Sequence, residues 1–195
     1  MHHPKKRIRF YYFLLFQKTF FTKKLEVLLK KGKFIKTNLT LNLRRIKMTK
    51  EHYYLLLADD DEDDCLFFKE ALDEITVSTA LSMVHDGVQL MEYLKNNISN
   101  LPDVVFLDLN MPRKNGLECL AEIKDDENLK NLPIIIFSTS LDGEIVDKVY
   151  QKGASFYIRK PGDFSKLKSV IEKALTIAPE NNFKQPERAN FILQP

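Results

Sequence analysis

From residue 53 onward, short apolar runs alternate with longer stretches whose apolar positions recur at helical spacing. Residues 53–58, 77–84, 104–107, 134–137 and 156–158 read as strands, because each is a compact run of apolar and β-branched or aromatic residues bounded by turn formers. Residues 65–75, 87–95, 117–124, 143–151 and 164–177 read as helices. In the first, Leu66, Phe67, Ala71, Leu72 and Ile75 form the apolar face. In the second it is Val88, Leu90, Met91 and Leu94, and in the third Leu117, Leu120 and Ile123. The last carries Phe164, Leu167, Val170, Ile171, Ala174 and Leu175 inward. Pro102, Pro133 and Gly153 punctuate the joins. Five strands alternating with five helices over about 125 residues predict one α/β domain, a doubly wound parallel sheet with helices on both faces.

The run Val104-Val105-Phe106-Leu107 is apolar throughout, the pattern of a strand buried on both faces. It ends in Asp108, followed by Leu109-Asn110-Met111-Pro112. Open α/β sheets place their chemistry at the carboxyl ends of strands, so this carboxylate is a candidate functional group. Taken alone, it could equally be an Asp that starts a turn.

Three further strand ends change that balance. The first strand runs into Asp59-Asp60-Asp61 and then Glu62-Asp63-Asp64. Carboxylates clustered after a buried strand repel one another unless a hard cation sits between them, and Mg2+ takes oxygen ligands of this kind. The fourth strand ends in Ser138-Thr139-Ser140. The fifth ends in Arg159-Lys160-Pro161, where the proline is able to take a cis bond and fix a tight turn. Glu62, Asp63 and Asp64 have a simpler role, capping and charging the first turn of the helix that begins near Cys65. A carboxylate nucleophile, a divalent-cation site, a hydroxyl donor and an ammonium are what phosphoryl transfer to a carboxylate requires.

Residues 52 to about 178 thus resemble the receiver domain of two-component response regulators. The matching segments are Leu55-Leu56-Leu57-Ala58-Asp59-Asp60-Asp61, Phe106-Leu107-Asp108-Leu109-Asn110-Met111-Pro112, Lys114-Asn115-Gly116, Pro133-Ile134-Ile135-Ile136-Phe137-Ser138, and Gly153-Ala154-Ser155-Phe156-Tyr157-Ile158-Arg159-Lys160-Pro161. The resemblance implies a flavodoxin-like five-stranded sheet of order 2-1-3-4-5. It implies that Asp108 accepts a phosphoryl group from a sensor histidine kinase or a phosphotransfer protein, with Mg2+ as cofactor. Asp60 would bind the metal directly and Asp59 mostly through water, with Asp108 and the backbone carbonyl of Asn110 completing the set. Ser138 falls on the switch hydroxyl, Lys160 on the family's lysine, and Tyr157 on the aromatic whose ring turns inward when that hydroxyl moves to the phosphoryl group. The face formed by the fourth helix, fifth strand and fifth helix would then be remodelled, and is the expected surface for a homodimer.

The resemblance further implies a phospho-accepting signalling protein rather than an enzyme, with weak self-catalysed transfer and hydrolysis. Thr139 stands where many members carry Ala, which would narrow access to the pocket and slow hydrolysis. No output domain follows, so a stand-alone receiver signalling by protein contact or phosphorelay is expected. Stand-alone receivers that pair with phytochrome-type kinases are similar in the acidic opening and the Ser-Thr-Ser cluster. The competing readings are an aspartyl-nucleophile phosphohydrolase and a phosphorylation-independent interaction module. The first usually carries a second Asp two residues on as general acid, and here that position is Asn110. The second normally loses an acidic or Lys position, and here all are present.

Charge divides the chain. The net +3 over 195 residues conceals 14 Lys/Arg against one acid, Glu26, in residues 1–47, a balance of +13. The remaining 16 basic and 26 acidic residues leave −10 for residues 48–195. A basic, aromatic-rich arm could touch nucleic acid or an anionic membrane. The abrupt change in composition and the ordinary opening Met48-Thr49-Lys50-Glu51 favour Met48 as the native start, with 1–47 as upstream sequence or a disordered arm. Nucleic acid is therefore not expected as a partner. The run from Phe10 to Phe16 is far short of the roughly 20 residues a membrane span needs. Cys65 and Cys119 form no C-x-x-C pair and sit in apolar helical patterns, which fits free thiols in a reducing cytoplasm. The domains expected are thus the 1–47 extension, a receiver domain over 48–178, and a tail over 179–195 that contains Pro179, Pro186 and Pro195 and either docks or stays disordered.

Overall fold

The computed structural model describes residues 52–180 and 183–195. The readings made of residues 1–47 lie outside the described residues. The elements are β1 (Tyr53–Ala58), α1 (Glu62–Glu74), β2 (Thr79–Val84), α2 (Gly87–Asn96), β3 (Val104–Leu107), α3 (Gly116–Asp125), β4 (Ile134–Ser138), α4 (Gly143–Gln151), β5 (Phe156–Arg159), α5 (Phe164–Glu180) and β6 (Ile192–Leu193). The sheet is parallel throughout, in the order β2-β1-β3-β4-β5-β6.

Each strand face feeds one of two cores. Leu55, Leu57, Val104, Phe106, Ile135, Phe137, Phe156 and Ile158 point to the layer of α1 and α5, which pack against one another. Leu56, Ala58, Val105, Leu107, Ile134, Ile136 and Tyr157 point to the layer of α2, α3 and α4. The two-residue alternation of side chains along a strand produces this division, and burial of both faces explains why the central strands are apolar up to their carboxyl-terminal residues. Phe68 of α1 sets its ring edge-on to Phe106 and Phe137, with centroids at 4.9 and 5.4 Å, directly beneath the strand ends.

Three expectations about the helices are corrected. Helix α1 starts at Glu62 rather than near Cys65, because Asp61 caps it: its carboxylate accepts the N–H groups of Asp63 and Asp64 at 2.9 and 3.1 Å. Its buried face is Cys65, Phe68, Ala71 and Leu72, and Leu66 and Phe67 are about half exposed. Apolar residues ring much of this helix, so the packing against the sheet, not the spacing, selects the inner side. Phe164 is likewise exposed, at the first position of α5. The Lys160–Pro161 bond, for which a proline allows either isomer, is trans, and no cis peptide occurs among the described residues.

The sheet has six strands, not five. Residues 183–195 return along the outer edge of β5, form a short 3-10 turn at Arg188–Asn190, and pair β6 with β5 in the register Tyr157↔Ile192 and Ile158↔Leu193. Phe191 is fully buried in the α4 layer, and Leu193 is buried on the opposite face. Gln185 donates to the carbonyls of Tyr150 and Ala154, and Arg188 pairs with Asp147 of α4 at 2.8 Å. A two-residue strand among prolines has too little periodicity to announce itself, which is why the sequence left this segment as a tail. Both cysteines are free and buried, and burial pushes their thiols up, Cys65 to about 12 and Cys119 to about 11. No helix among the described residues is long and apolar enough to cross a membrane.

Candidate functional site

The chain runs from β1 outward to β2 and then crosses to β3 on the other side of β1, which opens a crevice at the carboxyl ends of β1 and β3. Ala58 and Leu107 are paired in register, so the next residues on each strand, Asp59 and Asp108, emerge side by side. The backbone locks them there: Asp59 N–H donates to Val84 O at 3.0 Å and Asp108 N–H to Ala58 O at 2.9 Å. Both carboxylates are buried, while the adjacent Asp60 is exposed. Asp59, Asp60 and Asp108 each present a carboxylate oxygen within 4.8 Å of the other two.

Between these acids lies the side chain of Lys160, delivered by the end of β5. Its Nζ is 2.7 Å from Asp59 Oδ2, 2.8 Å from Asp64 Oδ2 and 3.5 Å from Asp108 Oδ1. The Lys160 N–H donates to Ser138 O at 2.8 Å, so β4 orients the residue. The ammonium also stands 5.5 Å above the Phe137 ring, a favourable cation–π placement. Burial works against this cation, but the hydrogen bonds it donates to Asp59 and Asp64 and the charges of Asp59 and Asp108 outweigh it and hold its pKa above that of an ordinary lysine. Burial raises the Asp59 carboxyl to about 6, against the pull of Lys160, and the neighbouring Asp108 charge adds to the rise.

The loop after β3 shapes the acceptor side. Asn110 N–H donates to Asp108 Oδ2 at 2.8 Å, and Asp61 N–H to Asp59 Oδ1 at 3.2 Å. Gly116 passes so close that a Cβ there would lie 2.1 Å from the carbonyl oxygen of Asp108. Only glycine allows that approach, and Asn115 then caps α3 through a reciprocal pair with Glu118. Arg113 takes the turn with φ of 63° and ion-pairs with Asp86, the cap of α2.

Ser138, at the end of β4, is fully buried, and its Oγ makes no hydrogen bond of full geometry among the described residues, although the Tyr157 hydroxyl is close enough to interact with it. A buried hydroxyl left without a good hydrogen bond costs about 1–3 kcal/mol. Thr139 beside it is exposed. Tyr157 is fully buried with its ring facing inward, and its hydroxyl donates to Ser140 O at 2.6 Å.

Six of the seven residues singled out by sequence (Asp59, Asp60, Asp108, Asn110, Ser138 and Lys160) come from the carboxyl ends of β1, β3, β4 and β5 or the turns that follow, and Tyr157 lies within β5. Two contacts were not foreseen. Asp64, read as part of the helix start, also holds Lys160. His85, at the end of β2, sets its Nδ1 3.1 Å from Asp59 O. Both depend on the distance between elements, and no local pattern marks either residue.

The donor set of three convergent carboxylates fits a hard divalent cation, since all its ligand atoms are oxygens. Comparison with known proteins agrees in kind. The family model of the response regulator receiver domain matches residues 55–172. The response regulator Rcp1 of Synechocystis sp. is 31% identical over 108 residues, covering 53% of this chain and 74% of Rcp1. The crystal structure of its Mn2+-bound form superimposes with a TM-score of 0.59 at 29% identity, covering 64% of this chain and 93% of that one. The structure of the phosphorylated cyanobacterial phytochrome response regulator RcpA gives a TM-score of 0.58 at 35% identity, covering 63% and 90%.

Proposed function

The chain belongs to the response regulator receiver domain family, and from that membership we propose that Asp108 is the residue at which it accepts a phosphoryl group, with Mg2+ as the cation held by Asp59, Asp60, Asp108 and the Asn110 carbonyl. As a family member it is a phosphoryl-accepting response regulator that interacts with a histidine kinase or a phosphotransfer protein. The observation that carries the assignment is the convergence on Asp108 of one ammonium and two further carboxylates, with the buried Ser138 hydroxyl at the end of the neighbouring strand β4.

The chemistry follows from these groups. A carboxylate oxygen of Asp108 attacks phosphorus; a P–O bond forms as the bond to the donor nitrogen breaks, and the donor imidazole leaves as it takes up a proton. Lys160 supplies positive charge to the equatorial oxygens, and Ser138 Oγ donates to one of them. The cation, when bound, would neutralise charge on the transferring group and on the acidic pair. The Asn110 N–H holds the Asp108 carboxylate in one orientation. With Asn rather than Asp two residues past the acceptor, no general acid is supplied there, which favours a retained phosphoryl group over turnover.

The readout is proposed to pass through Tyr157. Ile136 of β4 pairs with Tyr157 of β5 and Ser138 with Arg159, so a movement of the Ser138 end of β4 acts on the neighbouring Tyr157 strand. The protein is proposed to act in the cytoplasm.

Incubation with acetyl phosphate and Mg2+, followed by intact mass, tests the assignment. A single phosphoryl adduct is expected, absent in Asp108→Asn. A folded wild-type chain without an adduct, or an Asp108→Asn variant that keeps one, would overturn it.

A further inference from the structure

Lys160 serves three carboxylates, and the role of the third has not been accounted for. Asp64 Oδ2 accepts a hydrogen bond from Lys160 Nζ at 2.8 Å, as close as Asp59 and closer than Asp108. At 3.5 Å the Lys160–Asp108 contact is beyond hydrogen-bond length, so the ammonium is bound more closely by Asp59 and Asp64 than by the acceptor. Asp64 is also placed with little freedom. It lies in the first turn of α1, and its N–H is bound by the capping carboxylate of Asp61 at 3.1 Å.

The two sides of this sharing differ in burial. The Asp59 side chain is 1% exposed, whereas that of Asp64 is 36% exposed. A carboxylate that keeps water partners can release an ammonium at little cost, whereas a buried one cannot. Asp64 is therefore the partner that Lys160 can leave at the lower cost.

We propose that Asp64 is a positioning residue for phosphoryl transfer: it draws the Lys160 ammonium off Asp108 and competes with the incoming phosphoryl group for it. The inference rests on Asp108 as the acceptor. Transfer from acetyl phosphate forms a P–O bond at Asp108 and breaks the bond to the acetate oxygen, and acetate leaves. Anionic charge accumulates at the site in that step, and each carboxylate that shares Lys160 reduces the positive charge left to meet it.

The test is a double-mutant cycle on the rate of acceptance, followed by intact mass with acetyl phosphate and Mg2+. Asp64→Asn is expected to accept faster, on the order of fivefold, as one charge-assisted hydrogen bond is redistributed. The gain is expected to disappear in a Lys160→Ala background. Asp64→Glu, which keeps the charge, is expected to stay near wild type. Asp63→Asn removes an acid from the same helical turn and is expected to have no effect, which separates action through Lys160 from helix capping or general charge. Asp64→Ser provides the same comparison if the Asn variant is poorly folded. Equal rates for wild type and Asp64→Asn, or the same gain with and without Lys160, would overturn the inference while leaving Asp108 as acceptor. A wild-type chain that takes up no phosphoryl group would instead overturn both.

Discussion

Phe191 gives its carbonyl to the backbone N–H of Tyr157 at 3.0 Å and sets its ring 6.4 Å from the Tyr157 ring, centroid to centroid. The same phenylalanine meets Tyr150 of α4 edge-on at 5.0 Å, and Arg188 lies over both Tyr150 and Phe191. The outer edge of β5 is thus closed by the chain's own final segment, directly behind the residue proposed as the switch. This is the surface on which the sequence placed a dimer contact.

Phe191→Ala is accordingly expected to destabilise the protein by about 3 kcal/mol, the usual cost of emptying a buried phenylalanine site, and to lower Tm by roughly 10 °C. Thermal denaturation followed by circular dichroism measures this. A Tm within a degree or two of wild type would mean that the tail contributes no packing energy.

Ser138→Ala separates stability from chemistry. The hydroxyl is buried with no hydrogen bond of full geometry among the described residues, so its removal is expected to leave stability within about 1 kcal/mol of wild type, or to raise it. Phosphoryl acceptance should nevertheless slow by on the order of tenfold to a hundredfold, the usual effect of deleting one donor to a transferring group. Denaturant titration and acceptance kinetics on the same preparation check the two halves.

Asp59 predicts an unusual pH dependence. Its carboxyl is raised to about 6 in the folded, metal-free protein, against about 4 for an unfolded chain. The folded state therefore binds this proton more tightly than the unfolded one, and the contribution of Asp59 to stability falls as pH rises from about 4 to about 6. Relative to Asp59→Asn in EDTA, wild-type Tm should decline across that window and level off above it. Divalent-cation affinity should run the other way and weaken below about pH 6, where the cation must displace a proton.

Gly116→Ala tests the backbone beneath the acceptor. The added methyl would meet the carbonyl oxygen of Asp108 at 2.1 Å and the Cα of Leu109 at 2.9 Å, atoms that cannot move without moving the acceptor. A loss of about 2 kcal/mol is expected, together with impaired phosphoryl acceptance. Gly162→Ala, where a methyl meets nothing within 4 Å, is the control.

Much of this protein was legible in order along the chain. Each central strand is an unbroken apolar run ending in one polar residue, so the sequence determined the alternation of strands and helices and the identity of Asp59, Asp108, Ser138 and Lys160 as strand-end groups. Burial on both faces leaves no other pattern for a parallel strand. Tertiary structure alone decided the rest, because it depended on distances between segments far apart in sequence. The inner face of α1, which excludes Leu66 and Phe67, was chosen by packing on Phe106 and Phe137. The sixth strand exists because the edge of β5 offers unpaired backbone groups and a hydrophobic seat for Phe191, neither of which is visible in a proline-containing tail. Asp64 reads as helix-start charge until α1 and β5 are brought together, and only then does its carboxylate reach Lys160, 96 residues away.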